Sequence, residues 1–256
     1  NFANNTSGVE YGVQIEGTTG TTAGLTIIRN SNDANDGSLV LGKTRATSTG
    51  GNTVVQAGDD LGNIVFCGSD GTSLQFGAEI FAEVQSGVGD DDMPTDLIFK
   101  TNGGSTSTTE RLRIDNEGGF IFSNGALLEK VNITAGKLSD NTNIDLADGM
   151  VHYFTTQETT TSTPNIRVSS AVSLNDIMTA GDVVTVTVIT TTAAAGYSAQ
   201  MTIDGNAITE EWVGGSAPSA GSSDGLDIYV YTIICTHASN TGDSGFKVIA
   251  NLTNAT

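Results

Sequence analysis

Apolar and polar positions alternate with a period of two over most of the chain. From Gln75 to Val84, the residues Phe76, Ala78, Ile80, Ala82 and Val84 share one face. Glu79 and Glu83 take the other, with Phe81 between them. That is the signature of a half-buried strand. Residues 183–190 place Val184, Val186 and Val188 on one face. In residues 226–236, Leu226, Ile228, Val230, Thr232 and Ile234 alternate with Asp227, Tyr229, Tyr231, Ile233 and Cys235. Both of those faces are apolar enough for a central strand. Phe246, Val248, Ala250 and Leu252 add another alternation near the end.

Thr fills many outward positions. Its branched Cβ disfavours helix and suits a pleated surface. Turn residues separate the strands. Asp70-Gly71 predicts a hairpin between residues 64–68 and 74–84, and Asp204-Gly205-Asn206 one between 200–203 and 207–213, because Gly and Asn supply positive φ. Only residues 127–131 and 173–180 suit a helical turn, the latter with Ser173-Leu174-Asn175-Asp176 as its cap. Short strands are expected at 25–29, 38–43, 63–67, 96–101, 111–115 and 120–122, with longer ones after a division within 118–135. The fold expected is all-β: an N-terminal module of short strands (1–125), then a C-terminal β-sandwich of jelly-roll-like type (126–256). No repeat recurs at a fixed period, which disfavours a solenoid.

Composition narrows the function. The 256 residues carry 10 Lys+Arg against 29 Asp+Glu, a net charge of −19, so the basic patch of a nucleic-acid binder is not expected. Only 15% of residues are charged and 37% are hydrophobic, which is thin material for two cores. Thin β cores are completed by neighbouring subunits, a first pointer to an oligomer. No apolar run approaches the roughly twenty residues of a spanning helix, so no membrane insertion is expected. Cys67 and Cys235 lie in apolar strand-like runs and read as two buried, reduced thiols. The chain opens Asn1-Phe2-Ala3 with neither Met nor a signal-like segment, and is expected to be the ordered part of a longer polypeptide.

Candidate chemistry is sparse. The two histidines, His152 and His237, lie in or beside strands, and no G-x-S-x-G elbow accompanies them. The pairs Glu210-Glu211 and Asp59-Asp60 could serve glycoside hydrolysis, but neighbours in a strand face opposite ways. Glu210-Glu211-Trp212 stands out slightly, since an aromatic beside carboxylates can hold a sugar. Three acidic loops, Asp90-Asp91-Asp92, Asp140 to Asp148 and Asp33 to Gly37, offer oxygens but lack the calcium-loop pattern. The sequons at Asn132, Asn251 and Asn254 are expected by chance in a chain this rich in Asn and Thr. Phosphate-binding glycine loops are absent from the sequence. No catalytic residue, cofactor or metal ligand is therefore assigned, and no enzymatic activity is expected.

One stretch carries family character. It runs from Ile15-Glu16-Gly17-Thr18-Thr19 through Ala23-Gly24-Leu25-Thr26-Ile27-Ile28-Arg29, Leu39-Val40-Leu41-Gly42-Lys43 and Asp60-Leu61-Gly62-Asn63-Ile64-Val65-Phe66. It continues through Leu97-Ile98-Phe99-Lys100-Thr101 to Thr109-Glu110-Arg111-Leu112-Arg113-Ile114-Asp115. This order, over about residues 10–120, resembles fibre and other virion structural proteins of tailed bacteriophages, especially marine and cyanobacterial phages. The resemblance implies a homotrimeric appendage on the particle exterior, a tail or neck fibre in contact with other virion proteins and with a host-surface glycan or outer-membrane receptor. It transfers no catalytic residue. Arg111 and Arg113 share a face and are expected to pair with carboxylates, Asp115, Glu110 or a neighbour's. The receptor-facing loop expected is residues 212–224, with Trp212, Ser216, Ser219, Ser222 and Asp224, because long loops in compact domains are often functional. Two other virion roles stay open: a capsid decoration protein, separable by imaging its position, and a glycan-degrading tailspike, separable by the loss of polysaccharide viscosity. A secreted bacterial adhesin module is a further alternative, marked by a genomic neighbourhood without phage genes.

Overall fold

A computed structural model describes residues 13, 15–237 and 240–255. The chain divides into two compact units between Leu127 and Leu128. Regular structure is almost entirely strand, so the protein is all-β.

The first unit holds one five-stranded antiparallel meander in the order β1 (Asp60–Ser69), β2 (Leu74–Val84), β3 (Thr95–Thr101), β4 (Thr109–Ile114) and β5 (Phe120–Ile121). The hairpin at Asp70-Gly71 forms as its residue types require. Gly71 takes φ +95°, and the Asp70 carboxylate accepts the backbone N–H of Thr72 and Ser73 at 2.7 and 2.8 Å. The sheet is amphipathic. Cross-strand register lines up Ile64, Ile80, Phe99 and Leu112 on one face, and Asn63, Phe81, Ile98 and Arg113 on the other. The strands expected at 25–29 and 38–43 do not form. Described residues before Asp60 are irregular and extended, without a ladder partner. A strand pattern needs a second strand to bond with, and this stretch finds none among the described residues.

The second unit is a sandwich. Its larger sheet has the order β13-β15-β14-β10-β8-β6, from β6 (Val131–Thr134), β8 (Val151–Glu158), β10 (Val183–Thr192), β13 (Glu210–Trp212), β14 (Leu226–Cys235) and β15 (Phe246–Ala255). The smaller has the order β12-β11-β9-β7, from β7 (Asn143–Asp145), β9 (Asn165–Arg167), β11 (Thr202–Ile203) and β12 (Asn206–Ala207). The core between them joins Ile144, Ile166 and Ile203 to Phe154, Val186, Val188, Tyr229, Tyr231, Ile233, Phe246 and Val248. The alternation in β14 is the source: Asp227, Tyr229, Tyr231, Ile233 and Cys235 all point inward. Pairing is mixed. β6, β8 and β10 run parallel, as do β13 and β15, an arrangement that alternation alone does not signal.

Local expectations are met unevenly. One helical turn, α1 (Leu174–Ile177), forms where Ser173 and Asp176 sit, with the Asp176 carboxylate accepting the Ser173 N–H at 2.8 Å. Residues 127–130 are irregular, and Val131 opens a strand. The turn at Asp204-Gly205 forms with φ +51° and +77°. The strand expected over 207–213 instead splits in two. Asn206–Ala207 completes the hairpin, and Glu210–Trp212 crosses to the other sheet. Cys235 is buried, but Cys67 is exposed, contrary to expectation, because it lies on the edge strand β1 within Phe66–Ser69, which the other described residues leave open.

Candidate functional site

Three places concentrate unusual chemistry or surface. The first is the charged face of the meander. Arg113 reaches Asp96, Glu110 at 2.8 Å and Glu83 at 3.4 Å. Asp96 is almost fully buried, and its other oxygen accepts the Asn116 N–H at 2.9 Å. The Arg113 guanidinium holds the Glu110 carboxyl below its ordinary range. Lys100 lies 4.1 Å over the Phe81 ring, a cation–π contact on the same face. The expected carboxylate pairing thus holds for Arg113, within the chain. Arg111 instead donates to Thr101 Oγ1 at 3.0 Å and to the Asn124 carbonyl at 2.5 Å.

The second place is apolar surface on the same unit. In the extended stretch Val40 is 83% exposed, Ile28 72% and Leu25 68%. On the apolar sheet face Phe66 is 54% exposed and Ile64 46%. Among the described residues, the stretch is tied down near its end. Asp59 accepts Lys43 Nζ at 2.9 Å, Arg45 Nε at 2.6 Å and the Gln56 N–H at 3.0 Å. Leu41 packs over Gly62 so closely that a Cβ there would sit 2.6 Å from its own.

The third place is the β13 edge of the sandwich and the loop beyond it. Glu210 and Trp212 are two apart and point inward, opposite Val248 and Ala250 of β15. Glu211 points to solvent. The Glu210 carboxylate accepts the Met201 N–H, and burial pushes its pKa up. Trp212 meets Tyr231 edge-on, 6.4 Å between centroids. The Trp212 Nε1–H and the Tyr231 hydroxyl are buried without an acceptor or donor among the described residues. A cleft of about 400 Å³ opens here, lined by Gln200, Thr209, Glu210, Glu211, Trp212 and Ser216 among others. Gly214 and Gly215, at φ +90° and +84°, turn the chain sharply away from Trp212.

The residues expected to face a receptor separate here. Ser216, Ser219 and Asp224 are exposed, and Trp212 is half-buried. Ser222 faces inward: its hydroxyl donates to Asp227 at 2.6 Å, and Asn254 donates to both at 2.8 and 2.6 Å. Ser222 therefore ties down the loop and does not present to solvent. Trp212 and Ser216 meet at the cleft, together with Gln200 and Thr209, which the sequence did not single out. Their hint was the Asp204-Gly205 turn, which folds 200–203 back beside 207–212.

The other candidates have structural surroundings. His152 is buried. Its Nε2–H donates to the Gly149 carbonyl at 3.0 Å, Asn132 donates to its Nδ1 at 3.3 Å, and burial lowers its pKa. Among the described residues, no three His, Cys, Asp or Glu side chains converge as a metal site, and no helix is long and apolar enough to cross a membrane.

No protein-family model matches the chain. No curated protein matches it. Among solved structures it is similar to the carboxy-terminal domain of the L-shaped tail fibre of bacteriophage T5, at 18% identity and a TM-score of 0.36. That match spans 42% of this chain and 41% of the other.

Proposed function

We propose that this protein is a structural component of a phage fibre-like appendage, assembled as a homotrimer on the exterior of the particle, with the sandwich contributing to host-surface attachment. The observation that carries the reading is the uncovered apolar surface of the first unit. Strand-patterned segments at 25–29 and 38–43 have no ladder among the described residues, and Ile64 and Phe66 stand open on the sheet. Large apolar areas of this kind mark association surfaces. Three copies around an axis would supply the missing partners and close the β1 edge. The block ending in Thr109-Glu110-Arg111-Leu112-Arg113-Ile114-Asp115 supports the fibre family as the setting.

The function is mechanical and adhesive, without turnover. Light scattering tests the assembly: a mass three times the 26.3 kDa of the chain is expected, and a 26.3 kDa particle at micromolar concentration overturns it. Immunogold labelling of virions tests the setting, with label expected on an appendage. Label spread over the capsid shell would identify a decoration protein.

A further inference from the structure

The cleft at the β13 edge has a lining that selects one kind of ligand. A sugar ring has an apolar face of C–H bonds and a rim of hydroxyls that both donate and accept. Trp212 supplies aromatic surface and Ile208 aliphatic surface. Gln200 supplies an exposed amide that donates and accepts, and Ser216 an exposed hydroxyl. Glu210 supplies a carboxylate that is half-desolvated, which strengthens any hydroxyl it accepts from. The cleft lies in the size range of small-ligand sites, roughly 300–1,000 Å³.

Charge decides among sugars. The lining carries Glu210 and Glu211 and no Lys, Arg or His. Asp243 sits close by, held by the Thr209 N–H at 2.6 Å and the Thr209 hydroxyl at 2.7 Å. Lys247 acts on Asp243, and the lining itself offers an anionic unit, whether uronate, sialate or phosphate, only like charge. Packing also makes the floor of the cleft firm. Glu210 is fixed by Met201, and Trp212 is backed by Tyr231 and core strands, so little side-chain entropy is lost on binding.

We infer that this cleft binds one neutral sugar unit of a surface polysaccharide, stacked on Trp212 and hydrogen-bonded by Glu210 and Gln200. The inference rests on the attachment role proposed above and gives it a site and a ligand class. Trp212 is the sole tryptophan of the chain, so in the folded protein tryptophan emission comes from this cleft. The full chain would be titrated with methyl glycosides of neutral hexoses, 6-deoxyhexoses and N-acetylhexosamines, with methyl glucuronide and sialic acid as anionic probes. A saturable change in Trp212 emission is expected with at least one neutral glycoside and with neither anion. Gln200→Ala, on an exposed side chain, is expected to weaken that binding at least fivefold, and Glu210→Gln at least tenfold, with far-UV circular dichroism unchanged. Whole neutral polysaccharides printed on an array form the second arm. Capture on the array with no Trp212 response, or with full affinity in Gln200→Ala, overturns the cleft while leaving attachment in place. Response to the anions only, or no binding in either arm, also overturns the cleft; the trimer and labelling assays then judge the appendage reading separately.

Discussion

Replacing Arg113 with Leu removes the guanidinium that pairs with three carboxylates at once. Arg113 is 21% exposed on its side chain and Asp96 only 5%. Glu110 and Glu83, at 19% and 29%, can turn partly toward water. Asp96 cannot, and keeps only the Asn116 N–H. Breaking a fully buried pair from one side costs about 3–5 kcal/mol. Because two of the three carboxylates are partly solvated, we expect about 2–3 kcal/mol here. The only tryptophan lies in the other unit, so fluorescence would miss the effect. Hydrogen exchange of the β2, β3 and β4 amides would read it, at pH 7 and one fixed protein concentration. Exchange through opening of the sheet should speed up roughly 30- to 150-fold, the factor that 2–3 kcal/mol corresponds to. Adding Asp96→Asn to Arg113→Leu should restore part of the loss, since the buried charge goes with its partner. Less than a threefold change in the single variant, or no recovery in the double, would refute the account of Arg113 as the counter-charge of a buried Asp96.

Three further outcomes follow from the same reasoning. Asp227→Ala strands the buried Ser222 N–H and hydroxyl and leaves the exposed Asn254 amide its bond to Ser222; we expect a loss of about 2–4 kcal/mol, read by urea unfolding with Trp212 emission, and faster proteolysis within 213–225. Burial holds the phenols of Tyr229 and Tyr231 protonated well above the ordinary value of 10.0. Their stabilisation is complete below about pH 10 and is lost as pH rises past it, because the unfolded phenols ionise first; of the five tyrosines, these two should therefore contribute their phenolate absorbance only together with alkaline unfolding, and an unfolding transition without that added step would contradict their burial. Phe66→Asp on the open sheet face should leave circular dichroism intact and reduce the light-scattering mass to that of one chain, and an undiminished mass would remove this face from the subunit contact.

Much of the fold is legible in the sequence. The alternation of β2, β10, β14 and β15, the hairpin at Asp70-Gly71 and the Ser173–Asp176 cap all follow from interactions within a few residues, which the chain carries locally. Residues 25–29 and 38–43 show where such reading fails. A β pattern states that one face is apolar, but a strand exists only when another backbone completes its hydrogen bonds. Cys67 failed for the same reason: an apolar neighbourhood in sequence does not reveal that its strand lies at an edge.

By itself the sequence determined the all-β class, the turns, and the acidic and cation-poor character. Those properties depend on residue type and near-neighbour spacing. Only the tertiary structure decided the parallel pairing of β13 with β15, the inward placement of Ser222, and the meeting of Gln200 with Glu210 and Trp212 at one cleft. Each joins positions whose order in the chain sets neither direction nor distance. They are brought together by burying Tyr229, Tyr231, Ile233 and Val248 in a shared core, a non-local driving force that a linear pattern does not display.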